Sequence, residues 1–166
     1  MPEPISLSPA LIPSRPGTYA LVLHLATTTE IEVGKLGRST YPAGFYIYVG
    51  SALGSGGLAG RLKRHGEPTT SPGWRARWHI DYLRHYAKLT QIWYVQQATR
   101  REHDWAAVLQ QLSRESVAIP RFGSSDCSCP SHLFHFSRLP RWNDFQGGLG
   151  QSTPGDDLIV VEARLL

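Results

Sequence analysis

Polar and apolar positions alternate with period two from Thr18 to Leu25. Tyr19, Leu21, Leu23 and Leu25 share one side, and Thr18, Ala20, Val22 and His24 the other, which predicts a strand. Glu30–Leu36 repeats the pattern, with Ile31 and Val33 opposed to Glu32, and Phe45–Val49 adds a third segment rich in residues that suit pleated surfaces. Short connections containing Gly and Pro make these three an expected antiparallel meander. The period then changes. After the glycine-rich stretch Gly50–Gly57, the segment Leu58–His65 places Leu58 and Leu62 on one helical face, and Arg61 and His65, also four apart, on another. Gly66 and Pro68 end that helix. A second helix is predicted over roughly Arg77–Tyr86 and a strand over Leu89–Val95. A longer helix follows over Glu102–Glu115, with Trp105, Val108, Leu109 and Leu112 as its apolar stripe. Pro120–Ser131 reads as loop, His132–Phe136 as a short strand, Leu139–Asp157 as a long loop and Leu158–Leu165 as a closing strand.

Five prolines in residues 1–16 make that stretch an irregular lead-in, so 17–166 is read as one domain with a C-terminal extension from about 137. Of the 166 residues 41% are apolar and 18% charged, enough to bury a core and to exclude wholesale disorder. No apolar run approaches a membrane span, and no basic segment followed by an apolar stretch marks secretion. Cys127 and Cys129 are one residue apart, too close to staple a domain, which makes a reducing cytoplasm the expected compartment.

Charge resolved along the chain says more than the net +4. Between Arg61 and Arg101 lie nine basic residues against only Glu67 and Asp81, with Trp74, Trp78, Tyr82 and Tyr86 interleaved. Such a segment attracts polyanions, nucleic acid first, and its aromatics can either stack on bases or fill the core. Lys63, Arg64, Arg75 and Arg77 are the candidate nucleic-acid contacts. The alternative is a solvated basic face. The glycine-rich turn before Leu58 could offer helix N–H groups to a phosphate. Its glycines match neither GxGxxG nor the Walker pattern, so a tight strand-to-helix turn is the simpler reading.

The order of elements carries a resemblance. Gly17-Thr18-Tyr19 opens the first strand and Tyr48-Val49-Gly50 closes the third. A helix bearing Arg61 and His65 follows, and later a helix beginning near Glu102. This arrangement resembles the GIY-YIG nuclease superfamily over about residues 15–137. The stretches Trp78-His-Ile-Asp-Tyr-Leu83 and Phe122–Phe134 look like those of a subfamily of mostly stand-alone prokaryotic proteins, occasionally fused to DNA-repair enzymes. The resemblance implies an α/β fold with a small central antiparallel sheet flanked by helices. It also implies endonucleolytic cleavage of DNA phosphodiesters that depends on Mg2+ or Mn2+.

Carried over residue by residue, Tyr19 and Tyr48 would be the active-site tyrosines, either one a general base. An unperturbed phenol is ionised only about one part in a thousand at neutral pH, so it would need a cation or a hydrogen-bonding partner. Arg61 would grip two phosphate oxygens in its planar fork, His65 would accept or relay a proton, and Glu102 would hold the metal. Each has a plainer competitor: cross-strand aromatics for the tyrosines, complementation of the helix C-terminus for His65, and a capping box over Thr99-Arg-Arg-Glu102 for Glu102. Many members carry a lysine soon after the second tripeptide, where Ser51-Ala52-Leu53 stands here. The asparagine often found beyond the glutamate is replaced by the region of Arg114 and Glu115. Both departures favour the rival from another class, a non-catalytic nucleic-acid-binding module; an RNA-directed nuclease would share every feature named. Cys127, Cys129, His132 and His135 invite zinc, but the spacing is CxC, and a strand would point the two histidines to opposite faces. A structural turn capped by Ser125 and Asp126, with His132 facing the active site, competes with it. Separately, Trp78-His79 and Asp81 read equally well as a buried hydrogen-bonded polar cluster.

Overall fold

A computed structural model describes residues 12–112, 119–124, 128–152 and 159–162. The strands are β1 (Gly17–Leu25), β2 (Thr29–Val33), β3 (Gly37–Tyr41), β4 (Gly44–Ala52), β5 (Lys88–Gln96), β6 (Leu133–Phe136) and β7 (Ile159–Glu162). The helices are α1 (Gly57–Gly66), α2 (His79–Arg84), α3 (Glu102–Leu112) and α4 (Trp142–Ser152). Five strands form one antiparallel sheet in the order β6-β4-β1-β5-β7, and β2 and β3 form a separate hairpin. The fold is of the α/β class, a small antiparallel sheet between helices. No helix among the described residues is long and apolar enough to cross a membrane.

β1 occupies the middle of the sheet, and all its residues except His24 are buried. Its two sides therefore feed two cores. On one, Tyr19, Leu21, Leu23 and Leu25 pack with Tyr46 and Tyr48 of β4, Leu58 and Leu62 of α1, Ile80 and Leu83 of α2, and Ile31 and Val33 of the hairpin. On the other, Ala20 and Val22 pack with Trp93 of β5, Trp105 and Leu109 of α3, and Phe145 and Leu149 of α4. The alternation read from the sequence is thus real, with both faces covered rather than one wet.

Four expectations are corrected. The strand predicted over Glu30–Leu36 stops at Val33, because Gly34–Leu36 turns as a 3-10 helix between two positive-φ glycines, Gly34 (φ 44°) and Gly37 (φ 78°). The turn launches β3, which the sequence reading missed. The meander is accordingly not formed: β1 pairs directly with β4, and β2–β3 stands apart. The long loop predicted over Leu139–Asp157 contains α4. The helix predicted over Arg77–Tyr86 is shorter, starting at His79, and the predicted end of α3 at Glu115 lies outside the described residues.

Candidate functional site

The register of β1 on β4 sets Tyr19 opposite Gly50 and Leu21 opposite Tyr48. Tyr19 and Tyr48 are therefore diagonal neighbours on the face that α1 covers. The pairing depends on Gly50: a Cβ there would run into the Tyr19 hydroxyl. One level out, α1 lowers His65 onto the tyrosines. The Tyr19 hydroxyl lies 2.9 Å from His65 Nε2, and the His65 ring stands edge-on to Tyr48 at 6.5 Å. Arg61, one turn earlier on α1, spreads its guanidinium 4.6 Å above the ring of Trp78, which itself lies 5.6 Å from His65. Tyr48 is braced from the other side by Phe122 at 6.2 Å. A Cβ at Gly123 would strike its ring.

Burial governs the ionisation of these groups. It raises the Tyr19 phenol well above its ordinary range, with Tyr48, Glu102 and Asp81 adding to the effect and Arg61 opposing it. Tyr48 is raised for the same first reason, with Glu102 next and Arg61 again opposing. His65 is held down to about 3 by burial, then by the positive charges of Arg84, Arg61 and Arg64. A neutral phenol donates, so Tyr19 gives its hydrogen bond to Nε2 and the ring proton of His65 sits on Nδ1, which is buried without a partner among the described residues. Moving the Tyr19 proton to His65 in this resting state is opposed from both ends, because burial raises the phenol and lowers the imidazole. The pair is neutral at rest. Tyr48 is 8% exposed, and its hydroxyl has no protein hydrogen bond among the described residues.

Glu102 reaches the same neighbourhood from the opposite face of the sheet. It is the first residue of α3, whose start is tied to β1 by the Arg101 N–H donating to Thr18 Oγ1 at 3.1 Å. The Trp105 N–H bonds the Arg101 carbonyl, so Arg101 is the N-cap and the capping box on Thr99 is not formed. Glu102 Oε1 takes Arg100 Nε at 3.3 Å and His103 Nε2 at 3.6 Å, and the carboxylate is 13% exposed. Its charge acts on Tyr19, Tyr48 and His132. The structure thus packs Tyr19, Tyr48 and His65 together, sets Arg61 beside them across Trp78, and leaves Glu102 near enough for its charge to bear on both phenols. One carboxylate suits a magnesium ion that keeps waters and takes substrate oxygens, and among the described residues no cluster of three or more His, Cys, Asp or Glu could cage a metal.

Beside this group opens a cleft of about 990 Å3 between the glycine-rich turn, α1 and residues 71–78. Arg61, Arg64, Arg75 and Arg77 line it, and so do Trp74 and Trp78. They are not equivalent. Arg64 is committed within the protein: Nη1 meets Glu67 Oε2 at 3.2 Å, Nη2 donates to the Arg75 carbonyl at 2.6 Å and to Asp81 Oδ2 at 3.3 Å, and the guanidinium stacks 4.9 Å over Trp74. These contacts make Arg64 a clamp between α1 and the cleft wall. Lys63 is exposed but does not line the cleft. The first N–H groups of α1 are also spoken for, Leu58 by the Arg15 carbonyl and Ala59 by that of Pro13, so the turn is structural and not a phosphate cradle.

Asp81 is buried and hydrogen-bonded, as the sequence reading of a polar cluster with Trp78 and His79 has it. It accepts the backbone N–H groups of Arg77 (2.8 Å) and Trp78 (3.2 Å) while pairing with Arg64, which fixes the cleft wall. The pairing with Arg64 was not legible; the place of Asp81 three residues after Trp78, where a capping carboxylate sits, was. His79 Nδ1 accepts the Gly123 N–H at 2.9 Å and joins this wall to the Phe122 loop. Of the zinc set, Cys127 lies outside the described residues, as do Ser125 and Asp126. His135 points away to the Ala43 carbonyl, while Cys129 Sγ lies 3.2 Å from His103 Nδ1 and the His103 and His132 rings are 6.0 Å apart.

The model of one family, described as a domain of unknown function, DUF123, matches residues 18–147. No curated protein matches the chain, and no solved structure does.

Proposed function

The chain belongs to the DUF123 family, and from its own residues we propose that it is a GIY-YIG-type endonuclease that hydrolyses DNA phosphodiester bonds with Mg2+ or Mn2+ in a reducing cytoplasm. The observation that carries the reading is the meeting of Tyr48, the Tyr19–His65 pair and Arg61 with Glu102 at the edge of a basic cleft. Arg61 binds the non-bridging oxygens of the scissile phosphate; Trp78 holds its plane, leaving the N–H edge for the ligand. Tyr48 acts from its phenolate form: burial keeps its proton on at rest, Arg61 favours the anion, and the proton leaves to solvent. The phenolate then takes the proton of the attacking water as the oxygen–phosphorus bond forms, and the leaving ester oxygen takes a proton from solvent as its bond breaks. Tyr19 and His65 are the positioning pair behind it, since the hydrogen bond between them occupies the Tyr19 hydroxyl and burial keeps both groups neutral at rest. Glu102 would hold the metal, which supplies Lewis-acid charge and lowers the pKa of bound water. Arriving phosphate charge favours a protonated His65, so the pair is tuned to respond to substrate.

A non-catalytic binding module is the second reading. It is favoured by the depth at which both phenols lie and by the absence of a lysine at Ser51–Leu53. One experiment separates the two: incubation with single-stranded, duplex and branched DNA in magnesium, manganese or chelator. Expected is metal-dependent cutting that falls about 100-fold or more in Tyr48→Phe, Arg61→Ala and Glu102→Gln while the melting temperature is kept. Cutting that survives all three rejects this site. Binding with no cutting in either metal selects the module.

A further inference from the structure

We infer that the cleft beside Arg61 takes an unpaired DNA strand, so the substrate is single-stranded or splayed open at the site of attack. Its consequence for cleavage rests on the endonuclease reading, but the binding claim stands on the cleft itself. Reading base edges in a duplex takes an element inserted into a groove about 12 Å wide. Here the basic surface is concave, and its 990 Å3 lies at the upper end of the volumes that compact ligands fill, about 300–1,000 Å3. That is room for a few nucleotides and not for a double helix.

The lining has the two components that sequence-tolerant single-strand sites combine, free cations along a groove and flat π surfaces. Among the described residues no acceptor pairs with the guanidinium groups of Arg61, Arg75 or Arg77. The one acid on the wall, Glu67, is neutralised by Arg64. Trp74 and Trp78 each lie beneath a guanidinium, which makes two adjacent stacks held one helical turn apart by Arg61 and Arg64. Guanidinium and indole planes are both platforms for unstacked bases. The buried Nε1 donor of Trp74 has no partner among the described residues. Gly54 and Gly60 on the lining are exposed and bear no side chain, so open space lies above them, where a Cβ would meet nothing within 4 Å. Bases hidden inside a duplex could reach none of these surfaces.

The test is fluorescence anisotropy with labelled oligo(dT)12, its 12-base-pair duplex and oligo(rU)12, in chelator at fixed salt so that cutting plays no part. Expected is at least tenfold tighter binding of dT12 than of the duplex. Trp74→Leu weakens dT12 about 5- to 150-fold, the range of one stacking contact, and leaves the weak duplex binding unchanged. Trp74→Phe restores most of the loss, which separates stacking from misfolding. Duplex binding equal to or tighter than dT12, or a Trp74→Leu loss equal for both, overturns the inference. Tighter binding of rU12 overturns its assignment to DNA, and thymidine monophosphate binding as tightly as dT12 overturns the strand. Single-strand preference without metal-dependent cutting removes the nuclease and keeps this inference; cutting confined to duplex does the reverse.

Discussion

His65 concentrates the consequences of burial in one side chain. In the unfolded chain its imidazole titrates near 6.5, and in the fold near 3. The folded state thus refuses a proton that the unfolded chain binds. Stability from this residue is complete above pH 6.5 and is lost as the pH falls from 6.5 toward 3, at up to about 1.4 kcal/mol per pH unit. Urea titrations between pH 7 and 4 should show that decline, and His65→Gln, neutral throughout, should flatten it; an unchanged slope would mean that His65 is not held neutral by the fold. The same packing makes Gly50 irreplaceable. Gly50→Ala puts a methyl into the Tyr19 hydroxyl, so it should cost about 1–3 kcal/mol in thermal or urea unfolding. It should also break the Tyr19–His65 hydrogen bond. Neither effect was visible in the tripeptides that drew attention to these positions, because a glycine's motif does not say whose hydroxyl fills the space it leaves.

At the scale of elements, legibility follows the range of the forces involved. β1, β4, α1 and α3 were readable because each writes its own period: Tyr19-Leu21-Leu23-Leu25 in β1, Leu58-Leu62 in α1, Trp105-Val108-Leu109 in α3. α4 was not, because three glycines in WNDFQGGLGQS argue against a helix. Its order is supplied from outside, by Phe145 at 4.9 Å from Trp93 and 5.4 Å from Trp105, and by Gly148, where a Cβ would strike Val108. The hairpin hid for a related reason, since Gly34 must take a positive φ with Tyr82 of α2 lying against it. In the site, Arg61 and His65 could be paired from their spacing alone. The commitment of Arg64 could not, because it depends on Asp81, seventeen residues on, and on the Arg75 carbonyl. Asp81→Ala tests that wall. It strands Arg64 with one carboxylate fewer and frees two backbone N–H groups, so the urea midpoint should fall by the equivalent of about 3–5 kcal/mol with no change in m. A loss under 1 kcal/mol would show the wall to be held by other contacts.

Over the whole molecule the sheet acts as a partition. The face carrying Trp93, Trp105 and Phe145 is apolar filling, while the face carrying Tyr19 and Tyr48 is roofed by the helix that brings Arg61 and His65. Glu102 is the one member of the group delivered from the apolar side, past the end of β1 at Thr18. This asymmetry localises the charge that nucleic acid should feel. Of the positive residues between Arg61 and Arg101, those on the cleft whose guanidinium groups meet no acceptor among the described residues are Arg61, Arg75 and Arg77. Each phosphate neutralised on a single strand contributes about −0.7 to the slope of log K against log salt, so three give a slope of about −2. Arg75→Ser and Arg77→Ser should each flatten the slope by about 0.7, whereas Lys63→Ser, outside the cleft, should leave it unchanged. Anisotropy titrations with dT12 from 50 to 300 mM salt measure this directly. A Lys63→Ser change as large as that at Arg75 would mean that the polyanion lies on the open flank of α1, and the cleft would lose its claim as the binding surface.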